Sequence, residues 1–260
     1  MKQRMKKLFL VFSVLLLSSL LMGASATKSL VIDVAEDTYV VADLNDPGDA
    51  QGFREMNYGS LDFVKAWYLW NVEVEEPEVE GEVVEVEMEK VVSIIYLKFD
   101  LSSIEDKAIE SAMLQLYTNN VVLLTPRYMQ VFLVSSDWSE TTLNFNSGPT
   151  WGQTAIATTT IYQADQWYGW DVTDDVIGET QEGQISLVVV LRDMTKAAEE
   201  LVGFNSREAG ANVPRLIVTY TESGIGIAWY WLVIGGVVIL ALLALAFFGG
   251  LKLRRRQSSA

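Results

Sequence analysis

The chain has 260 residues, 50% hydrophobic and 20% charged, with no cysteine, no histidine and a formal charge of −15. This composition excludes disulfide staples, thiolate chemistry, histidine-assisted nucleophiles and the usual zinc ligands. Between Thr27 and Ser223 eleven lysines and arginines stand against all 34 carboxylates, a formal charge of −23 that repels nucleic acid and keeps such a region soluble.

In chain order, Lys2, Arg4, Lys6 and Lys7 precede an uncharged apolar run from Leu8 to Met22, and Ala24-Ser25-Ala26 follows. A basic start, a short apolar core and a small-residue site predict a signal peptide over residues 1–26, cleaved after Ala26. An uncleaved anchor is the alternative, but the core is shorter than the ~20 residues a spanning helix needs.

Strands are predicted at Ser29–Val34, Thr38–Ala42, Leu61–Trp70, Val92–Phe99, Ala112–Tyr117, Met129–Val134, Ile185–Leu191 and Leu216–Tyr220, each short and rich in β-branched or aromatic residues. Turn clusters such as Asn45-Asp46-Pro47-Gly48 and Asn146-Ser147-Gly148-Pro149 separate them. Ala112, Leu114 and Leu116 alternate with Met113, Gln115 and Tyr117. Helical periodicity shows only weakly, around Thr195–Leu201. Many short strands with turns between them predict an all-β fold, a jelly-roll-like β-sandwich over residues 27–223. An acidic insertion at 71–90 carries nine glutamates, many alternating with valine. It reads as a solvated hairpin, with a disordered loop or a divalent-cation site as alternatives.

From Gly224 to Leu251 no residue is charged, long enough for one transmembrane helix. Trp229, Tyr230 and Trp231 lie at one end, and Lys252, Arg254, Arg255 and Arg256 in the tail 252–260 mark the cytoplasmic side. The expected localisation is the cell membrane, single-pass, with the N-terminal domain extracellular.

Several ordered patterns carry a family resemblance. They are Asp37-Thr38-Tyr39-Val40, Asn57-Tyr58-Gly59, Leu97-Lys98-Phe99-Asp100-Leu101-Ser102, Trp138-Ser139-Glu140-Thr141-Thr142, Trp170-Asp171-Val172-Thr173, Phe204-Asn205-Ser206-Arg207-Glu208 and Pro214-Arg215-Leu216. Their order resembles the DNRLRE domain, also described as carbohydrate-binding module family 96 and related to the disaggregatase repeats of archaeal surface proteins. The resemblance implies a β-sandwich module of extracellular proteins that binds polysaccharide. Thr142-Leu143-Asn144-Phe145-Asn146 departs from the family's T-x-T-W-N, and the acidic insertion is extra.

Sugars stack on aromatic rings, so Trp67, Trp70, Trp151, Trp167 and Tyr168 are the candidate carbohydrate-binding residues, while Trp138 and Trp170 read as core or corner residues. Alternation along a strand sends neighbouring rings of Trp67-Tyr68-Leu69-Trp70 to opposite faces, so part of each aromatic cluster is core. Asp171, Asp174 and Asp175 are candidate calcium ligands, with solvated turn residues as the plainer reading. Arg207-Glu208 reads as a structural clamp before a catalytic pair. The module fills the outer region, so no enzyme is expected, and no cofactor beyond calcium. Expected partners are a polysaccharide, neutral in preference to alginate-like because of the −23 charge, or a cell-envelope protein such as a surface layer.

Overall fold

Strand alternation organises the computed structural model, which describes residues 26–44, 52–72, 88–192 and 199–222, together with Ile234, Gly235, Val238 and Ile239. The predicted signal peptide, except Ala26, and most of the predicted membrane segment therefore lie outside the described residues. Ile234, Gly235, Val238 and Ile239 are helical. Among the described residues no helix is long and apolar enough to cross a membrane.

The strands are β1 (Thr27–Asp33), β2 (Glu36–Asp43), β3 (Phe63–Val72), β4 (Met88–Asp100), β5 (Ala108–Val122), β6 (Arg127–Val134), β7 (Ala157–Ile161), β8 (Trp167–Asp171), β9 (Gln184–Leu191), β10 (Glu199–Asn205) and β11 (Arg215–Thr221). One short helix, α1 (Thr173–Glu179), joins β8 to β9 by way of a 3-10 turn. The sheet runs β1-β11-β5-β10-β3-β4-β9-β6-β7, with β2 added on β4 and β8 on β5, and the pairs from β5 through β10, β3, β4, β9 and β6 to β7, with those of β2 and β8, are antiparallel. All eight predicted strands form. The period-2 pattern of β5 holds, with Ala112, Leu114 and Leu116 buried and the residues between them half-exposed.

Two long strands curl the sheet. β4 pairs β2 through residues 91–98, which leaves its other edge for β3 at 88–92 and β9 at 95–100. Ser93 stands at this fork: its hydroxyl accepts from the Trp67 N–H at 2.8 Å and donates to the Lys65 carbonyl at 2.7 Å, satisfying the backbone where β3 departs. β5 is divided likewise, with Met113–Tyr117 on β8 and Thr118–Val122 on β10. The curled inner face encloses the main core, including Trp170, Phe99, Phe204, Leu97, Leu114 and Leu187. The outer face of β2, β4, β9 and β6 is also buried. Tyr96, Phe132, Val188 and Val190 point that way, and the segment carrying Trp138, Leu143, Phe145 and Trp151 covers them.

The structure corrects the weak helical reading at Thr195–Leu201, since Glu199–Leu201 open strand β10 and residues 195–198 lie outside the described residues. Of the acidic insertion only the base is described. There Asn71 pairs Glu89 and Val72 pairs Met88, continuing the β3–β4 ladder, and residues 73–87 lie outside the description.

Candidate functional site

The outward residues of three neighbouring strands form a trough. On β10 the inward side chains are Glu200, Val202 and Phe204, all buried, so Leu201, Gly203 and Asn205 face outward and make its floor. In register with them on β3 stand Trp67, Lys65 and Phe63. On β5, Val122 and Asn120 flank Leu201 and Gly203, and a bulge between Gly203 and Phe204 sets Asn119 beside Asn120. The central row reads Lys65–Gly203–Asn120. The glycine makes room there for the Asn119 carboxamide, whose Oδ1 would lie 2.6 Å from a Cβ on Gly203 and would have to shift. A cleft of about 720 Å³ results, lined by Asp62, Lys65, Asn119, Asn120, Gly203 and Asn205 among others.

Its polar groups are held in place. Asn119 Nδ2 donates to Asn205 Oδ1 at 3.0 Å, and Asn205 Nδ2 donates to the Ala211 carbonyl at 2.9 Å. This leaves the Asn119 carbonyl oxygen, over the glycine, as an acceptor. The Lys65 ammonium lies 4.4 Å from the Trp67 ring centroid and 5.5 Å from that of Tyr39. Burial lowers the Lys65 pKa, against the opposing pull of Glu199. Trp67 Nε1 donates to Glu199 Oε1 at 3.1 Å, which fixes the indole on the rim. Amide, ammonium and carboxylate groups beside a half-buried indole can meet both the hydroxyls and the apolar face of a polyhydroxylated ligand.

The other aromatic candidates are placed differently. Tyr168 turns into the core, where its hydroxyl donates to the Gln163 carbonyl and accepts the Tyr162 and Gln163 N–H groups. Trp167 is half-buried on the outer face of β8, with the Arg215 guanidinium 3.9 Å from its ring centroid and Tyr117 packed edge-on. Gln115 Oε1 accepts from Arg215 Nε and Nη2, fixing that guanidinium. Trp151 bridges to Val134 and leans on the second core. The backbone of Trp70 pairs with Lys90 in the β3–β4 ladder, and its side chain lies outside the description. Among the described side chains, the structure thus brings Trp67 alone of these candidates to the trough. Trp138 and Trp170 are buried, their indole N–H groups bonded to Ser186 Oγ and the Met129 carbonyl.

Asp171, Asp174 and Asp175 sit at the start of α1. Asp171 Oδ1 accepts from the Thr173 hydroxyl and N–H, bonds that lower its pKa, while burial raises that of Asp175. Among the described residues no three acidic side chains come together as a metal site.

The family-like motifs converge elsewhere, on a clamp. Arg207 donates from its backbone to Asp37 Oδ2 at 2.7 Å, from Nη1 to the Ala35 carbonyl at 2.8 Å, and from Nη2 to Glu140. Glu140 Oε2 accepts the Asp37 N–H, and Glu36 ties the Glu140 N–H to the Lys98 ammonium. Lys98 also donates to the Trp138 carbonyl and lies over its indole. Asn57 Nδ2 holds the Glu140 and Leu143 carbonyls at 2.6 and 2.8 Å. Gly59 must be glycine, since a Cβ there would meet the Glu140 carbonyl oxygen at 2.3 Å. Arg207-Glu208 is therefore a structural clamp, as the sequence suggests. Sequence reasoning missed Asp62, Lys65, Asn119, Asn120, Gly203 and Asn205. A mid-strand glycine and an Asn-Asn pair interrupting an apolar strand were the available signals.

Residues 81–220 match the model of carbohydrate-binding module family 96. A gellan lyase from Bacillus sp. is 29% identical over 134 residues, which are 48% of this chain and 5% of that protein. The chain thus spans a small fraction of that relative's length. The motifs at Asp37 and Asn57 precede the matched residues, yet the clamp joins them to Glu140 and Arg207 within it. With over half of its residues inside the match, the chain belongs to carbohydrate-binding module family 96.

Proposed function

We propose that this chain is a membrane-anchored extracellular binding module, without catalytic activity of its own, whose trough along β10 holds a neutral polysaccharide of the cell surface or matrix. The observation that carries this reading is the row Lys65–Gly203–Asn120 with Trp67 on its rim: a glycine-cleared floor, amide and ammonium donors, and an aromatic face. From Phe63 to Trp67 the wall runs about 14 Å, a length suited to an oligosaccharide rather than to one ring. The neutral class follows from charge. The outer region's formal −23 opposes a polyanion, and salt screens that opposition over roughly 8–10 Å.

Titration of the full chain with soluble glucan, xylan and mannan, and with alginate as the acidic comparison, tests it. A neutral polymer should bind, and Trp67→Ala should weaken binding about tenfold, the order of a lost aromatic platform. Tight, calcium-free binding of alginate alone would contradict the neutral assignment. A second reading, docking on a cell-envelope protein, is favoured by Val122 and Leu124, apolar side chains exposed at 49% and 67% near the β5–β6 turn. Absence of binding to every glycan would favour it.

Anchoring rests on the uncharged stretch from Gly224 to Leu251 and the four cations after it. Protease added to intact cells should remove the module and leave the basic tail protected. Survival of the module in unbroken cells would reverse the topology.

A further inference from the structure

Resting on the trough as the glycan site, we infer that it takes the end of a polysaccharide chain rather than a stretch of its middle. The trough has unlike ends. Beyond Asn205 the β10–β3 ladder runs one step further, Ser206 N–H donating to the Asp62 carbonyl at 3.2 Å and Ser206 Oγ to the Leu61 carbonyl at 2.6 Å, and the chain then folds back so that the outward Asn205 Nδ2 donates to the Ala211 carbonyl at 2.9 Å. Ala209 and Ala211 of this turn line the cleft and stand as its wall at the Asn205 end. The wall is fixed from behind, because Arg207 within it is gripped by Asp37, the Ala35 carbonyl and Glu140. A glycan lying along β10 meets this wall and must terminate there or leave the floor.

The chemistry is graded along the same axis. Asp62, Asn119 and Asn205 lie toward the walled end beside Phe63, Asn120 and Lys65 stand in the central row, and Leu201, Trp67 and Val122 flank the other half. A terminal sugar ring carries one hydroxyl more than an internal ring, where a linkage occupies that position. The walled half supplies donors and acceptors for those extra hydroxyls, including the Asn119 carbonyl oxygen over Gly203. The apolar half, with the indole, suits the C–H face of a following internal ring.

The test compares each of the soluble glucan, xylan and mannan with the same polymer partly cut by an endo-acting hydrolase, at equal mass, against the full chain. End recognition predicts that binding sites per gram rise in proportion to the number of chain ends, with affinity per end unchanged. Sites per gram that stay constant or fall on cutting would overturn end recognition and leave the trough reading intact. No binding to any polymer, whole or cut, overturns both. Gly203→Ala, verified as folded by thermal unfolding, displaces the Asn119 carboxamide from the floor and should weaken binding of both forms about tenfold. Unchanged affinity in that variant places the ligand outside the trough and overturns both as well.

Discussion

Replacing Arg127 with methionine should destabilise the module by about 3–5 kcal/mol, the cost of stranding a buried charge without its partner. Glu200 is fully buried, and Arg127 of β6 holds it in a fork, with Nε 2.8 and 2.9 Å from its two oxygens and Nη2 2.5 Å from Oε1. Without the guanidinium the carboxylate is left in the interior facing no cation from β6. Changing both residues together, Arg127→Met with Glu200→Leu, should cost far less, because the desolvation of two ions disappears with their attraction. Equilibrium denaturation of the two single variants and the double variant measures the coupling. A loss below about 1 kcal/mol for Arg127→Met would mean that solvent reaches Glu200, since exposed pairs contribute at that level.

The second large effect is a pH dependence in the clamp. Asp37 is 1% exposed, and its Oδ1 has no hydrogen-bond partner. Burial pushes its pKa up to about 7; the carboxylates of Glu208 and Glu140 add to the rise, while the Arg207 backbone bond and charge oppose it. A carboxyl whose folded pKa is raised binds its proton more tightly in the folded state than in the unfolded chain. Its contribution is therefore fully present below about pH 4 and is lost as pH climbs to about 7. Asp37→Asn keeps an acceptor for the Arg207 N–H and removes the titration. Relative to the parent, this variant should gain of order 2–4 kcal/mol between pH 4 and pH 8. Glu36, whose pKa is lowered by its Lys98 and Glu140 bonds against the cost of burial, titrates in both proteins and cancels in the comparison. A stability difference independent of pH would show that Asp37 is ionised throughout.

Glu200 also explains what the sequence concealed. Glu199-Glu200-Leu201-Val202-Gly203-Phe204-Asn205 places a paired acid inward and a leucine outward, so hydropathy does not alternate over the first half of β10. The weak helical signal there reflects that inversion. β7 and β8 were hidden similarly, the first by a run of three threonines and the second by Gly169 between aromatic residues. Where inward positions are uniformly apolar, as in β5 and β9, alternation or a continuous apolar run revealed the strand. The clamp residues were legible as motifs, and their structural role followed once Glu140, Asp37 and Arg207 met. The trough was not legible apart from Trp67. It exists because β3, β10 and β5, distant in sequence, lie side by side, and because a bulge moves Asn119 over Gly203.

Trp167 remains the instructive contrast. Its sequence setting resembles that of Trp67, but Arg215 lies over its ring and Tyr117 packs against it edge-on, so its surface already has protein partners. Trp67 also has a cation, Lys65, over its ring, yet it adjoins a cleft with free polar capacity.

The most direct test is a backbone and indole N–H chemical-shift map of the protein on addition of the neutral polymer that binds. Binding in the trough predicts that the largest changes fall on Gly203, Asn119, Asn120 and the Trp67 indole, with Trp151 and Trp167 unmoved. Changes centred on Trp167 and Arg215, or on Trp151, would contradict it.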